Sequence, residues 1–417
     1  MDFNEISQDL LRFCKTIVLL NEDDHEFNIF LRDYIHISFE KNVAIKRQGL
    51  EYLIPACKKF LAKTKKGRPL SDITSEDYIE GKFIELAINA FFKHQNEQDA
   101  FIMKELKKFY FNLKLQEYLF YFGIGNLKVQ NEYRFGRITI FPNTNEKIER
   151  YFGNKDKGKS VIENLTKDSE TLKKEGILSF AAVRCFTVDS QKGLIVAQSI
   201  LRQHLNVLQT MHREGIFIEG DPTRNRYNYR ICDSDNNLLR IGGGDKNGGN
   251  YHIPFDFDDF FNHNERLIKK LDSAFRSVSE GSLQQKIIIS LDWLGDSRFE
   301  NNDHHRITKL MISLESLLLD KSDKIKRPLL EERSGFLYSK KYNERIYAKT
   351  LVGDSYILRN DIVHTGNKEE PISSIFLEKV TKLIFTLNLI VLFEEKFGTL
   401  TDVKKYVEKE KYGNGLT

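Results

Sequence analysis

Apolar side chains in the first 120 residues recur mostly at the three- and four-residue spacing of an amphipathic helix. Thr74 is followed three positions later by Asp77, the pattern of a capping box, which predicts that a helix begins there. The apolar stripe of this helix is formed by Ile79, Phe83, Leu86, Ala87 and Phe91. Residues 1–125 are therefore predicted to form a helical N-terminal region.

From about residue 127 the pattern changes to short alternating segments of the kind that form strands. Strands are expected over 128–134, 137–141, 177–188, 226–232 and 238–241. The first two predict a hairpin that turns near Gly136, and the last two predict a second hairpin. A helix is expected over 191–211. Residues 126–264 are thus predicted to form an α+β region.

After residue 265 the strand pattern disappears and helical periodicity continues to the end of the chain. Helices are expected over 265–278, 283–294, 304–319, 325–338, 343–364, 372–397 and 401–411. Residues 265–417 are therefore predicted to form an all-α domain. The fold class that follows is α+β and predominantly helical, with a mixed N-terminal region before an all-α helical bundle.

The charge of the chain is nearly balanced, because 64 Lys and Arg residues face 60 Asp and Glu residues, a formal net charge of +4. Any binding of nucleic acid must then depend on a local basic patch rather than on the overall field. Two basic stretches with interleaved aromatic residues, 58–68 and 104–114, fit this requirement. They are explained either as solvated helix faces or as an RNA-contacting surface.

The four cysteines are far apart and form no CxxC pair, so neither a disulfide framework nor a cysteine-based zinc site is expected. The strongest apolar stretch, 383–393, has about half the length needed to cross a bilayer. The N-terminus lacks the pattern of a signal peptide. We therefore expect a cytoplasmic protein without membrane association, cofactor or bound metal.

Residues 153–160 match the P-loop pattern G-x-x-x-x-G-K-[ST] to the letter. The preceding residues are charged and patterned like a helix, whereas a P-loop follows a buried strand. Asp292, the best candidate for a companion magnesium ligand, lies in a segment with helical periodicity. A lysine-rich surface turn is the favoured interpretation, and a P-loop nucleotide-binding protein stays an alternative.

Two further motifs are interpreted as structural. The glycine-rich run 242–249 has no helix start after it and is expected to form a loop. Asp303, His304 and His305 suggest metal ligands, but no third ligand lies at a useful spacing. Asp303 is therefore expected to cap a helix that carries two exposed histidines.

The residues with the clearest chemical potential form the pattern R-N-x-x-x-H, with Arg359, Asn360 and His364. Asn360 and His364 are four residues apart and share a helix face, and the long side chain of Arg359 can turn toward the same place. Glu315 lies on the flank of an apolar stripe in the helix over 304–319. Its carboxylate needs a cationic partner there, and Arg359 is the expected one.

These residues resemble the Apea-like members of the HEPN superfamily, which are all-helical ribonuclease-type domains. The resemblance is carried by KIIISLDWL at 286–294, ITKLMISLESLLL at 307–319, and the R-N-x-x-x-H helix followed by Gly366. It covers about residues 265–400. Gly366 stands where some toxin-type relatives carry a tyrosine.

The resemblance implies a metal-independent endoribonuclease of a prokaryotic antiviral or abortive-infection defence system. His364 would act as general acid and base, Arg359 would stabilise the charge on the phosphorus, and Asn360 would position a phosphate oxygen. Family members typically dimerise, which implies a composite site at a homodimer interface. The mixed N-terminal region would sense a trigger ligand or a partner protein. The alternative is a non-catalytic HEPN module that binds RNA or a partner protein.

Overall fold

The structure is a computed structural model of the chain. It describes residues 3–19, 34–38, 43–65, 68–125, 127–144, 146–147, 150, 177–211, 217–218, 227–233, 238–244, 255–298, 300, 302–365 and 371–413. The chain forms two compact units. Unit 1 comprises Met1–Tyr118 and Cys185–Ala197, and unit 2 comprises Leu119–Arg184 and Gln198–Thr417.

Unit 1 combines helices with a small sheet. Its helices are α1 (Asn4–Cys14), α2 (Leu50–Leu61), α3 (Glu76–Phe91) and α4 (Gln98–Asn112). Its strands are β1 (Ile17–Leu19), β2 (Tyr34–Ser38), β3 (Val43–Lys46), β4 (Thr64–Lys65) and β5 (Arg68–Pro69). The first three strands form an antiparallel sheet in the order β1-β3-β2, and β4 pairs with β5. The helical periodicity of this region gave no indication of these strands.

The core of unit 1 is rich in aromatic rings. Phe60 of α2 is fully buried, and its ring lies 5.3 Å from Phe83 of α3, 5.5 Å from Phe109 and 6.1 Å from Tyr110 of α4. Such rings bury large apolar areas and favour edge-to-face or offset contacts. The three helices are therefore held together by one aromatic cluster.

The start of α3 differs from the capping box expected at Thr74. Ser75 is the N-cap, and its Oγ accepts a hydrogen bond from the backbone N–H of Tyr78. The Thr74 hydroxyl instead donates to Asp189, 2.8 Å away, and the backbone N–H and hydroxyl of Ser75 donate to the same carboxylate. A side chain 114 residues away in the sequence thus determines which residue caps the helix.

Seven further strands form one sheet: β6 (Gln116–Gly125), β8 (Tyr133–Phe135), β9 (Ile138–Pro142), β10 (Ile177–Thr187), β11 (Phe217–Ile218), β12 (Tyr227–Asp233) and β13 (Leu238–Gly244). Their order in the sheet is β13-β12-β6-β10-β9-β8, with β11 paired to β6. A separate parallel pair joins β7 (Leu127–Lys128) and β14 (Phe255–Asp256). The strand predicted at 177–188 and both predicted hairpins are confirmed, β8 with β9 and β12 with β13. The strand expected over 128–134 is shorter, because β8 begins at Tyr133 and Lys128 belongs to β7.

The rest of unit 2 is helical. Helix α5 (Ser190–Gln209) belongs to unit 2 from Gln198 onward. The other helices of unit 2 are α6 (Phe257–Arg276), α7 (Leu283–Ser297), α8 (Asp303–Leu318), α9 (Lys326–Tyr338), α10 (Tyr342–Thr365), α11 (Ser374–Phe393) and α12 (Leu400–Tyr412). The expectation of a predominantly helical α+β protein is confirmed. The three-region division at residues 125 and 264 stays a prediction.

His204 of α5 connects the turn between β8 and β9 with α6. Its Nδ1 lies 2.7 Å from the carbonyl oxygen of Ile200, and its Nε2 lies 3.2 Å from the backbone nitrogen of Arg137. Both bonds form when Nδ1 donates and Nε2 accepts, which is the neutral tautomer. The ring also stacks on Phe275, with the centroids 3.8 Å apart. Burial lowers the pKa of His204 to about 4.

Unit 2 is expected to lose stability in mild acid because of this residue. The folded pKa of His204 is about 4 and the ordinary value is 6.5, so the unfolded chain takes up the proton first. The stability that the neutral, buried ring of His204 contributes is complete above pH 6.5 and is lost as the pH falls toward 4. Between pH 7 and pH 5 the free energy of unfolding should drop by about 2 kcal/mol on this account.

The measurement is urea unfolding at both pH values for the native chain and for His204→Gln. Glutamine does not titrate, so the variant should be less stable at pH 7 but should lose about 2 kcal/mol less on acidification. An equal loss in both proteins would show that His204 does not cause the acid sensitivity.

The C-terminal end of α8 is held by two cations. Arg333 of α9, only 7% exposed, donates to the carbonyl oxygen of Leu318 over 2.6 Å and to both carboxylate oxygens of Asp323 over 2.7 and 2.9 Å. Lys286 of α7 donates to the carbonyl oxygen of Leu319 over 2.6 Å. Positive charge at this end of a helix satisfies free carbonyl groups and complements the helix dipole. The end of α8, which carries Glu315, is therefore rigidly placed.

Candidate active site

The R-N-x-x-x-H pattern lies in the last two turns of α10, which packs closely on α9. Two glycines allow the close approach. A Cβ atom at Gly353 of α10 would lie 2.6 Å from Oε1 of Glu331, and one at Gly335 of α9 would lie 2.8 Å from Cγ of Lys349. The helix that carries the candidate residues is thus fixed against its neighbour.

Arg359 is held in place by its own helix. Its Nη1 donates to Oδ1 of Asn360 over 3.0 Å, and its guanidinium carbon lies 5.9 Å from the ring centroid of Tyr356. The side chain is 24% exposed. Its Nε is buried and has no hydrogen-bond partner among the described residues. The guanidinium group is therefore partly exposed at the protein surface, whereas its unpaired donor, Nε, is buried.

Glu315 of α8 lies beside Arg359, as expected, but the contact is loose. Its Oε1 is 4.0 Å from Nη2 of Arg359, too far for a hydrogen bond. Its Oε2 accepts a hydrogen bond from Nζ of Lys326 over 2.8 Å. The carboxylate, 15% exposed, is thus paired mainly with Lys326, which leaves the guanidinium of Arg359 only partly compensated.

Lys326 is the residue of this cluster that the sequence analysis missed. It is the first residue of α9, and the chain turns back between α8 and α9 so that its amine reaches Glu315, eleven residues earlier. The signal was a lysine at the start of the helix that follows the one carrying the carboxylate. The length and direction of the turn between α8 and α9 decide which cation reaches Glu315, and helical periodicity predicts neither of them.

His364 lies one turn beyond Asn360 on the same helix and is exposed. It has no hydrogen-bond or ion-pair partner in the part of the chain that the structure describes. Gly366, expected to end the helix, lies outside the described residues, and α10 is described to Thr365. The structure therefore brings Arg359, Asn360 and Glu315 together and leaves His364 accessible nearby.

This arrangement has the parts needed for acid–base chemistry on a phosphate ester. A partly exposed guanidinium group can bind and stabilise an oxyanion, and a solvent-accessible imidazole is a common general acid and base. Among the described residues, no group of three or more His, Cys, Asp or Glu side chains could hold a metal ion. The expected absence of a metal and of cofactors stays a prediction.

The motifs interpreted as structural have mixed outcomes. The P-loop pattern at 153–160 lies outside the described residues. The glycine-rich run was expected to form a loop, but Gly242, Gly243 and Gly244 belong to β13, and the rest of the run lies outside the described residues. Asp292 lies inside α7 and not at a strand end. The N-cap of α8 is Asn302 and not Asp303, because Oδ1 of Asn302 accepts from the backbone nitrogens of His304 and His305.

The cysteines and the hydropathy of the helices give two further facts. Among the described residues, Cys14, Cys57 and Cys185 are buried and form no disulfide, and burial raises the pKa of Cys14 to about 11 and that of Cys57 to about 12. These two thiols are therefore poor nucleophiles. None of the described helices has the length and apolar character to span a membrane.

Compared with protein-family models, curated proteins and solved structures, the chain matches none of them. The class that the structure defines is a predominantly helical α+β protein with a candidate Arg–Asn–His site at the end of α10. The likeness to HEPN domains therefore depends on the sequence pattern alone.

Proposed function

We propose that the protein is a metal-independent endoribonuclease of the Apea-like HEPN type, acting in prokaryotic antiviral or abortive-infection defence. The observation that carries the proposal is the end of α10. There a guanidinium group held by Asn360 precedes, by little more than one helical turn, an exposed imidazole without a partner among the described residues.

The reaction is attack of a ribose 2′-oxygen on the adjacent phosphorus. The O2′–P bond forms, the P–O5′ bond breaks, and the products are a 2′,3′-cyclic phosphate and a 5′-hydroxyl. His364 takes the proton from the 2′-hydroxyl or gives a proton to the leaving O5′. Arg359 stabilises the extra negative charge on the phosphorane, and the amide of Asn360 positions the guanidinium and a phosphate oxygen.

A homodimer through the C-terminal region supplies the second imidazole. One His364 serves either as base or as acid at a given moment, whereas the reaction uses both roles. The face of α10 that carries His364 also exposes Ile346 and Ile357, and Tyr347 and Val363 are exposed nearby. Exposed apolar side chains along one helix favour its burial against another surface.

The contact between Glu315 and Arg359 favours one rival function. Glu315 lies within 4.0 Å of Arg359, so the guanidinium also suits a purely structural role in a non-catalytic HEPN module that binds RNA or a partner protein. The two functions differ in turnover, since only the nuclease shortens RNA.

The test uses purified protein and mixed cellular RNA in excess EDTA. The native chain should shorten the RNA, and a chain with both Arg359→Ala and His364→Ala should leave it intact. Equal cleavage by the two proteins would mean a contaminating nuclease. The assay is repeated with added cell fractions, to supply a trigger ligand for the nuclease. If the RNA stays intact with both proteins in every repeat, the binding module is favoured.

A further inference from the structure

A groove in unit 1 lies between α3 and α4, far along the chain from the candidate active site. Each helix lines it with one face, at positions i, i+4, i+7, i+8 and i+11. On α3 these positions begin at Tyr78 and end at Asn89, and on α4 they begin at Phe101 and end at Asn112. Leu86, Leu113 and Val188 give it apolar surface, and its volume is about 400 Å³. That volume suits a small organic ligand.

Aromatic rings form one end of the groove. Tyr78 and Phe109 both line the groove, and their rings are tilted against each other at 39° with centroids 6.2 Å apart. Phe109 is supported from behind by Phe60, whose ring stacks on it at 5.5 Å with an interplanar angle of 19°. Both groove rings are only partly buried. They therefore offer a preformed stacking surface to a flat ligand.

The charges in the groove are paired, with one exception. Lys82 binds Glu85 over 2.9 Å, and Lys108 lies 3.5 Å from Glu105. Lys114, just after the end of α4, is exposed and has no ion-pair or hydrogen-bond partner among the described residues. The groove thus has one cation left for an anionic group of a ligand.

Amide groups lie at the same end as this cation. Asn112 and Gln116 both line the groove and are exposed. Oε1 of Gln116 accepts a hydrogen bond from the Tyr118 hydroxyl over 2.9 Å, which fixes the amide and leaves its NH₂ group free to donate outward. Amides of this kind can recognise the edge of a nucleobase or a sugar hydroxyl.

We propose that this groove binds one nucleotide unit, with its base stacked on Tyr78 and Phe109 and its phosphate at Lys114. A purely apolar ligand would leave the amides and Lys114 without partners, whereas a simple anion would leave the rings uncovered. A nucleotide uses all three features. The nucleotide is either a free nucleoside monophosphate or one residue of a single-stranded RNA, since both present the same chemistry.

The experiment is calorimetric titration of the full-length chain carrying Arg359→Ala and His364→Ala, so that no RNA is cut. The probes are AMP, GMP, CMP and UMP, and separately a single-stranded RNA decamer. In this background, Tyr78→Leu and Lys114→Gln should each weaken binding of the responding probe about tenfold. The controls are Phe111→Leu and Lys107→Gln, an aromatic residue and a lysine of α4 that do not line the groove. They should alter binding less than twofold.

Binding of a monophosphate identifies a free nucleotide as the occupant, and binding of the decamer alone identifies an RNA strand. The proposal is overturned if no probe binds, or if Tyr78→Leu and Lys114→Gln weaken binding no more than their controls. It is independent of RNA cleavage, because the groove variants are measured without turnover. Loss of cleavage with intact groove binding, or the reverse, therefore separates the two proposals.

Discussion

Replacing His364 by Ala is expected to slow RNA cleavage by about 100- to 10,000-fold, the usual contribution of a general acid or base. The imidazole is exposed at the end of α10, so its removal should leave the fold intact. The measurement is the initial rate of cleavage in EDTA, with circular dichroism to verify folding. The matched control is His305→Ala, which replaces another exposed histidine of unit 2. This variant should cleave RNA at the native rate.

Arg359→Ala should lower the same rate by about 100- to 1,000-fold, because the cation that stabilises the phosphorane is lost. Arg359→Lys should recover part of the rate, since it restores the charge without the planar pair of donors. The control is Arg327→Gln, which replaces an arginine of α9 that pairs with Glu331 on the surface. This variant should cleave RNA at the native rate. If either alanine variant cut RNA as fast as its control, the assignment of that residue would be wrong.

Replacing Arg333 by Met is expected to destabilise unit 2 by about 3 kcal/mol, the largest stability effect that we foresee. The substitution leaves the carbonyl oxygen of Leu318 without its cation and removes the bidentate partner of Asp323, whose side chain is only 8% exposed. Lys404, 3.2 Å from Asp323, compensates only part of that charge. The measurement is the free energy of urea unfolding at pH 7.

The matched control is Arg327→Met on the same helix. Arg327 makes an exposed pair with Glu331 at i,i+4 spacing, which contributes only about 0.3–0.5 kcal/mol. Arg333 holds the pKa of Asp323 well below its usual range, so the pair stabilises the fold fully above pH 3.8 and less as the pH falls below it. The difference between the native chain and Arg333→Met should therefore narrow below pH 3.8. Equal destabilisation by both methionine variants would contradict this account.

The helices after residue 280 could be predicted closely from the sequence, because their apolar side chains recur at the helical period over long stretches and polar residues mark their ends. The expected 283–294 and 325–338 correspond to Leu283–Ser297 and Lys326–Tyr338. The short strands of unit 1 could not be predicted this way. β1 has three residues and β3 has four, too few to show an alternation that differs from the surrounding helical pattern.

The sequence indicated which residues compose the candidate site but not how their charges pair. Glu315 was expected to bind Arg359, whereas its hydrogen-bonded cation is Lys326. The N-cap of α3 was missed for the same reason, since Asp189 binds Thr74 and Ser75 from a distant part of the chain. Local patterns determine helices, while these polar contacts depend on where the chain returns in three dimensions.

The central claim is that Arg359 and His364 promote attack of a 2′-hydroxyl on the neighbouring phosphorus. The most direct measurement is cleavage in EDTA of an RNA oligonucleotide and of the same oligonucleotide with a single 2′-deoxy residue at the cut site, with mass spectrometry of the ends. The account predicts a 2′,3′-cyclic phosphate and a 5′-hydroxyl from the first and no cut at that site in the second. Cleavage at the deoxy site, or products with a 5′-phosphate, would contradict it.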